Sequence, residues 1–320
     1  VQPGRHFLEP MDPVPLDSDY LAKLDVHYQT VFGEEQLCAM QTLVDTKKKE
    51  NLKVPDYIQM LDFEKKRTFD TVELPDTVAV VHDDNITVKD KWIVSKKNQN
   101  LAVKDGILMS KDLSRIISVP NSVDTITITK KIKSLDVGKL DGKTIYVTAT
   151  DMDDLPEIPY EKLKDCKIIL KDSIFDTYIS DHYDSIVKGN NIKFAKKSEE
   201  DKTYTVSDHC IVTGNTLYKA LKGTSKIYLS ANIDSLEKDC FDDSDVKYIY
   251  CENKKQKETI ESLLQKLGYI DIKVYISQTQ DGLTYVIDDD GIVTLLNASS
   301  DIVEFDGYVG NVLVDQIGDG

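Results

Sequence analysis

The sequence predicts a strand-rich α+β solenoid, a stack of short parallel β-strands with inserted β-hairpins, helices at the array ends and a helical unit at the N-terminus. Three observations predict it. A short apolar motif recurs along the chain, isoleucines of successive candidate strands stand about twenty residues apart, and a turn-bounded hairpin unit precedes some of the copies.

The motif is an apolar residue, any residue, a second apolar residue, three mostly polar residues and a third apolar one. It occurs as Val72-Glu-Leu74-Pro75-Asp-Thr-Val78, Ile117-Ser-Val119-Pro120-Asn-Ser-Val123 and Ile126-Thr-Ile128-Thr-Lys-Lys-Ile132. Further copies are Ile168-Ile-Leu170-Lys-Asp-Ser-Ile174, Ile227-Tyr-Leu229-Ser-Ala-Asn-Ile233 and Val303-Glu-Phe305-Asp-Gly-Tyr-Val309. Alternation of apolar and polar residues is the pattern of a strand with one buried face, and the polar residues then turn the chain to a second apolar anchor.

A solenoid must return each strand to the same edge. Ile126, Ile145 and Ile168 are separated by 19 and 23 residues, and Ile227, Ile249 and Ile272 by 22 and 23. The hairpin units read Val103 to Asp112, Val206 to Asn215 and Ile287 to Thr294, each a polar turn leading into a short apolar strand. Their turns carry Asp105-Gly106, Asp208-His209 and Asp290-Gly291, so His209 stands at a glycine position.

Two segments carry a helical period. In Lys254 to Leu267, Ile260, Leu263, Leu264 and Leu267 share one face, and Gly268 follows as a cap. Leu155 to Cys166 reads as a shorter version. In Asp19 to Lys49, Tyr20, Leu21, Leu24, Val31, Leu37, Met40 and Leu43 suggest two helices. The expected divisions are therefore a helical cap over 1–70, a first array over 71–200, a second over 201–280 and the start of a third over 281–320.

The stretches Asp105–Val147 and Tyr204–Cys251 resemble the BspA-like class of leucine-rich repeats, which alternate a "DG-apolar-apolar-x-x-D/N" hairpin with "I-x-I-P-x-x-V" strands and an "A-F-x-x-C" anchor. The similarity spans roughly residues 70–320, and periods in the low twenties fit leucine-rich-repeat turns. The strand proline is kept at Pro75 and Pro120 and replaced by Thr129, Lys171 and Ser230, and the anchor persists as Cys240-Phe241 and as Lys139-Leu140. The unit from Tyr285 to Gly320 resembles the pattern cut off before its anchor, so the natural protein is expected to continue. The resemblance implies a secreted or surface-exposed protein that adheres to host or matrix proteins.

Composition limits the functions. A net charge of −16 repels phosphate backbones and anionic headgroups, which argues against nucleic acid as a partner. No apolar run reaches the ~18–20 residues of a membrane span, so no membrane insertion is expected. Cys38, Cys166, Cys210, Cys240 and Cys251 have neither CxxC nor zinc-site spacing with the histidines and read as small buried residues, with Cys240 and Cys251 as the pair to watch.

No catalytic, metal or cofactor residue is nominated. Phosphate-loop, nucleophile-elbow, dinucleotide-binding and HExxH patterns are missing from the sequence. Asp151, Asp153, Asp154 and Asp288, Asp289, Asp290 cluster, but a chain this acidic yields such runs as solvated turns. His82, His182 and His209 are isolated. Tyrosine offers large area with a polar tip, and Tyr228, Tyr248 and Tyr250 lie on consecutive strands, exposed if Ile227, Leu229 and Ile249 point inward. The expected function is non-catalytic recognition of a protein or glycan through the repeat surface. The alternatives are an assembly component of a virion or surface layer, and a polysaccharide-acting enzyme using the acidic clusters.

Overall fold

The computed structural model describes residues 24–32, 37–45, 51–137, 140–299, 307–309 and 312–317, with backbone alone for 24–32, 37–45, 312–313 and 316–317. The chain folds as two compact units, Val1–Ile174 with Lys188–Asn191 and Phe175–Val187 with Ile192–Gly320. Both are built from β-solenoid turns. The divisions expected after residues 70, 200 and 280 all fall inside these units.

The first unit opens with an antiparallel hairpin of β1 (Leu24–Phe32) and β2 (Leu37–Asp45), where two helices were expected. The correction has a local cause. Leu24, Val26, Tyr28, Thr30 and Phe32 alternate with period two, and β-branched and aromatic residues lose side-chain freedom in a helix. The parallel stack then begins at once, ahead of residue 71. Strands β3 (Asn51–Lys53), β4 (Met60–Leu61), β5 (Arg67–Leu74), β6 (Val80–Val81) and β7 (Ile86–Val94) form two parallel ladders, β3-β5-β7 and β4-β6. Val72, Leu74 and Val78 of the first motif copy enter a core with Leu52, Phe69 and Trp92.

Next come β8 (Leu101–Lys104), β9 (Ile107–Ser110), β10 (Arg115–Ser118), β11 (Thr125–Ile128), β12 (Ser134–Leu135), β13 (Thr144–Val147) and β14 (Lys167–Leu170). Strands β8, β9 and β10 are antiparallel neighbours, and β12 adds in parallel to β10. Strands β11, β13 and β14 are parallel, with Ile126, Ile145 and Ile168 in one register as their spacing predicts. All three are buried. The segment Leu155–Cys166 is not the short α-helix expected. Pro156 and Pro159 remove backbone donors there, and the segment forms a single 3-10 turn, Tyr160–Lys162, after another at Met152–Asp154 just before it.

The second unit contains two short helices that carry no clear period in sequence, Phe175–Asp181 and Tyr183–Ile186. They precede β15 (Lys193–Lys196), β16 (Glu199–Ser207), β17 (Cys210–Thr213), β18 (Thr216–Ala220), β19 (Lys226–Leu229), β20 (Ser235–Leu236) and β21 (Tyr248–Cys251). After the helix Lys254–Leu267 come β22 (Lys273–Ile276), β23 (Gln278–Gln280), β24 (Leu283–Ile287), β25 (Val293–Ala298), β26 (Tyr308–Val309), β27 (Val312–Leu313) and β28 (Gln316–Ile317). The plan of β8-β9-β10-β12 recurs in β16-β17-β18-β20 and in β23-β24-β25-β28: an antiparallel trio with a parallel fourth strand. Strands β19, β21 and β22 form a parallel ladder, in which Ile227 pairs with Ile249 and Ile249 with Val274 rather than with the expected Ile272. The motif copy at 303–309 lies largely outside the described residues.

The helix follows from its sequence. Asn253 Oδ1 accepts from Gln256 N, and Gly268 (φ 92°) closes the C-terminus while the Tyr269 N–H donates to Leu264 O at 2.9 Å. Ile260 and Leu264 pack on Ile227, Ile249 and Val274. Cys210, Cys240 and Cys251 lie in the same core as free thiols, and Cys166 is a buried free thiol of the first unit. Cys240 and Cys251 are therefore unpaired, and the small-residue reading holds for all four.

Each antiparallel trio begins with the same tight turn. Asp105-Gly106 (φ 52° and 81°), Asp208-His209 (48° and 57°) and Asp281-Gly282 (52° and 78°) each join strands whose flanking residues pair directly. Two successive left-handed residues make a type I′ turn, matched to the twist of the strands it connects. The third copy is thus Asp281-Gly282, not Asp290-Gly291, which belongs to the longer loop between β24 and β25. At Gly106 a Cβ would meet Val123 Cγ2 at 2.8 Å as well as the left-handed penalty. Gly106→Ala is expected to destabilise the first unit by roughly 1–3 kcal/mol. A urea midpoint equal to that of the parent would refute the assignment.

Buried polar side chains join one turn to the next. Asn98 Nδ2 donates to Pro75 O and Val78 O at 2.8 Å each, and Oδ1 accepts from Asn100 N and Leu101 N at 2.8 and 2.7 Å. Lys143 Nζ donates to Pro120 O (3.1 Å) and Asn121 O (2.9 Å), and burial lowers its pKa against the opposing pull of Asp124. Gln256 Nε2 donates to Leu229 O, Ser230 O and Ile233 O at 3.3, 2.7 and 2.9 Å. The acceptors are the turns of three motif copies, and each donor comes from the following turn of chain. A turn facing inward has carbonyls that water cannot reach, so the chain must supply the donor itself.

Candidate binding groove

In the parallel ladder of the second unit, Ile227, Ile249 and Val274 point to the core, which turns the residues after them to the outer face. Tyr228, Tyr250 and Tyr275 occupy those places in one register. Ring centroids are 5.0 Å apart for Tyr228–Tyr250 and 6.5 Å for Tyr250–Tyr275. Tyr248 lies on the same face one pleat earlier, with its ring 6.3 Å from Tyr275.

The ladder is not bare. Val286 of β24 and Leu296 of β25 pack on Tyr250 and Tyr275, leaving them 7% and 6% exposed, with Tyr228 half-buried at the margin. Of the three tyrosines that the sequence singles out, only Tyr248, at 40%, is substantially exposed. Alternation along a strand shows which face a residue takes, but not what a hairpin thirty-odd residues away lays over it.

Beside this cover a groove of about 500 Å³ stays open, lined by Tyr228 and Tyr250. Ser230, Glu252 and Ser277, each next after its strand, form a row along one end. Asp208 of the β16–β17 turn lines it too, as do Thr279 and Thr284, cross-strand partners of the β23–β24 hairpin with hydroxyls 3.1 Å apart. No lysine, arginine or histidine lines it.

The lining of the groove carries acidic groups and no basic one. Desolvation raises the pKa of Tyr228, with Tyr250 and Asp208 adding to the effect, and also raises that of Tyr250. The Asp208 carboxyl is pushed up by desolvation against the opposing pull of His209, and the residue is exposed. Among the described residues, neither the Tyr228 nor the Tyr250 hydroxyl has a hydrogen-bond partner, and neither the Asp208 nor the Glu252 carboxylate has an ion-pair partner.

A second cleft, about 480 Å³ in the first unit, is lined by Asp83, Asp84, Asp124 and Asp141 together with Lys66 and Lys143. Its charges are mixed, its lysine at 143 is tied to backbone carbonyls, and Ser118 already accepts from Trp92 Nε1 at 3.1 Å. It reads as a seam between turns rather than a receptor.

The remaining polar residues of the sequence analysis serve local structure. Asp151 Oδ1 accepts from Asp153 N, and Asp288 Oδ1 accepts from Asp290 N and Ile292 N, so both acidic clusters are self-bonded turns. Among the described residues no group of three or more histidine, cysteine or acidic side chains could share a metal ion. His182 stacks on Tyr178 (4.4 Å) and His209 on Tyr183 (4.3 Å). No helix of the described residues is long and apolar enough to cross a membrane.

No protein-family model matches this chain, and no curated protein matches it. Among solved structures, the crystal structure of the pneumococcal vaccine antigen PcpA aligns over 72% of this chain and 68% of that one, at 14% identity and a TM-score of 0.24. A superposition that loose transfers no property.

Proposed function

We propose that this chain is a non-catalytic interaction module of the BspA-like leucine-rich-repeat kind, secreted or surface-exposed, which recognises a protein or glycan through its repeats. The observation that carries this reading is the groove over Tyr228 and Tyr250, where two exposed carboxylates, Asp208 and Glu252, stand beside an aromatic floor with no ion-pair partner among the described residues. Aromatic side chains in partly desolvated pockets dominate binding energy. The repeat plan supports the same reading, because stacked turns use their apolar residues on one another and leave an extended surface for partners.

The test is to immobilise the chain against purified matrix proteins and a glycan array, in parallel with Tyr228→Ala. Tyr228 is only half-buried, so its loss leaves the Ile227–Ile249 core in place. We expect at least one retained partner, with affinity reduced by about tenfold or more in the variant. Equal retention by both proteins, or none by either, overturns the reading. So does hydrolysis of a polysaccharide that disappears when Asp288, Asp289 and Asp290 are replaced by Asn.

A further inference from the structure

We infer that the groove over Tyr228 and Tyr250 is a receptor for cationic side chains, arginine or lysine, presented by a basic segment of a protein partner. The inference rests on the reading of the chain as an interaction module and names the chemistry of its ligand.

The groove offers acceptors and no cation. Asp208 and Glu252 bring two carboxylates without ion-pair partners among the described residues, and Ser230, Ser277, Thr279 and Thr284 bring hydroxyl oxygens. The ring of Tyr228, half-buried at the margin and lining the groove, supplies the negative quadrupole that attracts a guanidinium or ammonium group. Tyr250, a residue only 7% exposed, lines the groove, and its hydroxyl, without a hydrogen-bond partner among the described residues, is a further acceptor at the floor. An anionic ligand would meet carboxylates with nothing to offset them. A neutral one would leave them desolvated and unpaired, which costs free energy.

The same unit uses this chemistry internally. Lys196 Nζ lies 5.2, 6.0 and 4.5 Å from the rings of Phe175, Tyr204 and Tyr218, and donates to the Tyr218 hydroxyl at 2.7 Å. That cage is filled by the chain's own lysine, whereas the groove has the same wall chemistry and no resident cation. A volume of about 500 Å³ exceeds one side chain, which favours a segment carrying neighbouring basic residues. Long-range attraction acts in the same sense, since a net charge of −16 draws basic partners towards the chain.

The test is calorimetric titration of the full chain with an acetylated tetra-arginine amide, its tetra-citrulline counterpart and a neutral hexasaccharide, at about 0.15 M salt, where diffuse attraction is screened beyond roughly 8 Å. Tetra-arginine is expected to bind saturably. Its affinity should fall by about tenfold or more in the Asp208→Asn, Glu252→Gln variant, and by as much when citrulline replaces arginine. The charge-matched control Asp153→Asn, Asp154→Asn, in the other unit, should bind like the parent. Absence of saturable binding, equal binding of citrulline, or equal losses in the two double variants overturns the inference. Hexasaccharide binding without tetra-arginine binding overturns it too, yet leaves the interaction module standing. A chain that retains no matrix protein or glycan but still binds tetra-arginine through Asp208 and Glu252 separates the two in the opposite sense.

Discussion

Asn98→Leu is expected to lower the stability of the first unit by about 4 kcal/mol, although the two side chains are close in size. Asn98 is fully buried and makes four hydrogen bonds, all to main-chain groups. Leucine leaves Pro75 O, Val78 O and the Leu101 N–H without partners in a region water does not enter, at roughly 1–3 kcal/mol each. The N–H of Asn100, an exposed residue, can be hydrated and adds little. The apolar gain from leucine offsets part of the loss. Urea denaturation measures the difference, with Gln99→Ala as the control: Gln99 is exposed, bonds only to Lys97 O, and should cost within about 0.5 kcal/mol. A loss for Asn98→Leu no larger than the control's would show that the bonds contribute nothing.

Alkaline pH is expected to destabilise the second unit more than any single core substitution short of a large cavity. Burial pushes the thiols of Cys240 and Cys251 up from 9.0 to about 12, and Tyr218 from 10.0 to about 12. In the unfolded chain these groups release their protons at the ordinary values, while the folded state holds them. The unfolded state therefore binds fewer protons above pH 9, and stability falls as pH rises. Each thiol contributes ~1.4 kcal/mol per pH unit in that window, so the pair removes roughly 5 kcal/mol between pH 9 and 11. Below about pH 8 these thiols add almost no slope. Denaturation in reducing buffer at pH 8, 10 and 11 gives the slope, and Cys240→Ala with Cys251→Ala should reduce it by the share of the two thiols, leaving that of Tyr218. An unchanged slope in the double variant would assign the effect elsewhere.

Where one interaction dominates locally, the sequence is legible. The spacing of Ile126, Ile145 and Ile168 predicts their register because an isoleucine on the wrong face of a short parallel strand exposes its whole side chain. The helix Lys254–Leu267 is equally plain, with an apolar face, an Asn cap and a Gly stop within one stretch. Legibility fails where two patterns compete or where a distant segment decides. Val26 to Val31 supports both a helical face and a period-two strand, and pairing with Leu37–Asp45 selects the strand. In Asp281-Gly282 the turn signal is clear, but its flanks Gln278–Gln280 are polar and do not look like a strand. The groove is the hardest case, because Asp208, Tyr228, Glu252 and Thr284 become neighbours only once the hairpins fold back over the ladder. Its one sequence signal is a run of tyrosines flanking buried isoleucines, which finds the floor and not the walls.

The donor of each capped turn lies about one coil further along the chain, and this gives the stack a direction that its strand ladders alone do not have. Pro75 and Val78 wait for Asn98, Pro120 and Asn121 for Lys143, and Leu229, Ser230 and Ile233 for Gln256. A strand-to-strand segment copied by gene duplication would carry acceptors without their donor, or a donor without its acceptors. The segment that can be copied or deleted without orphaning either runs from just before the acceptor turn to just after its donor, overlapping the next strand. The heritable module of this chain is therefore out of phase with the visible one, and an alignment of its copies anchored on the strands alone divides each polar bond between two neighbours.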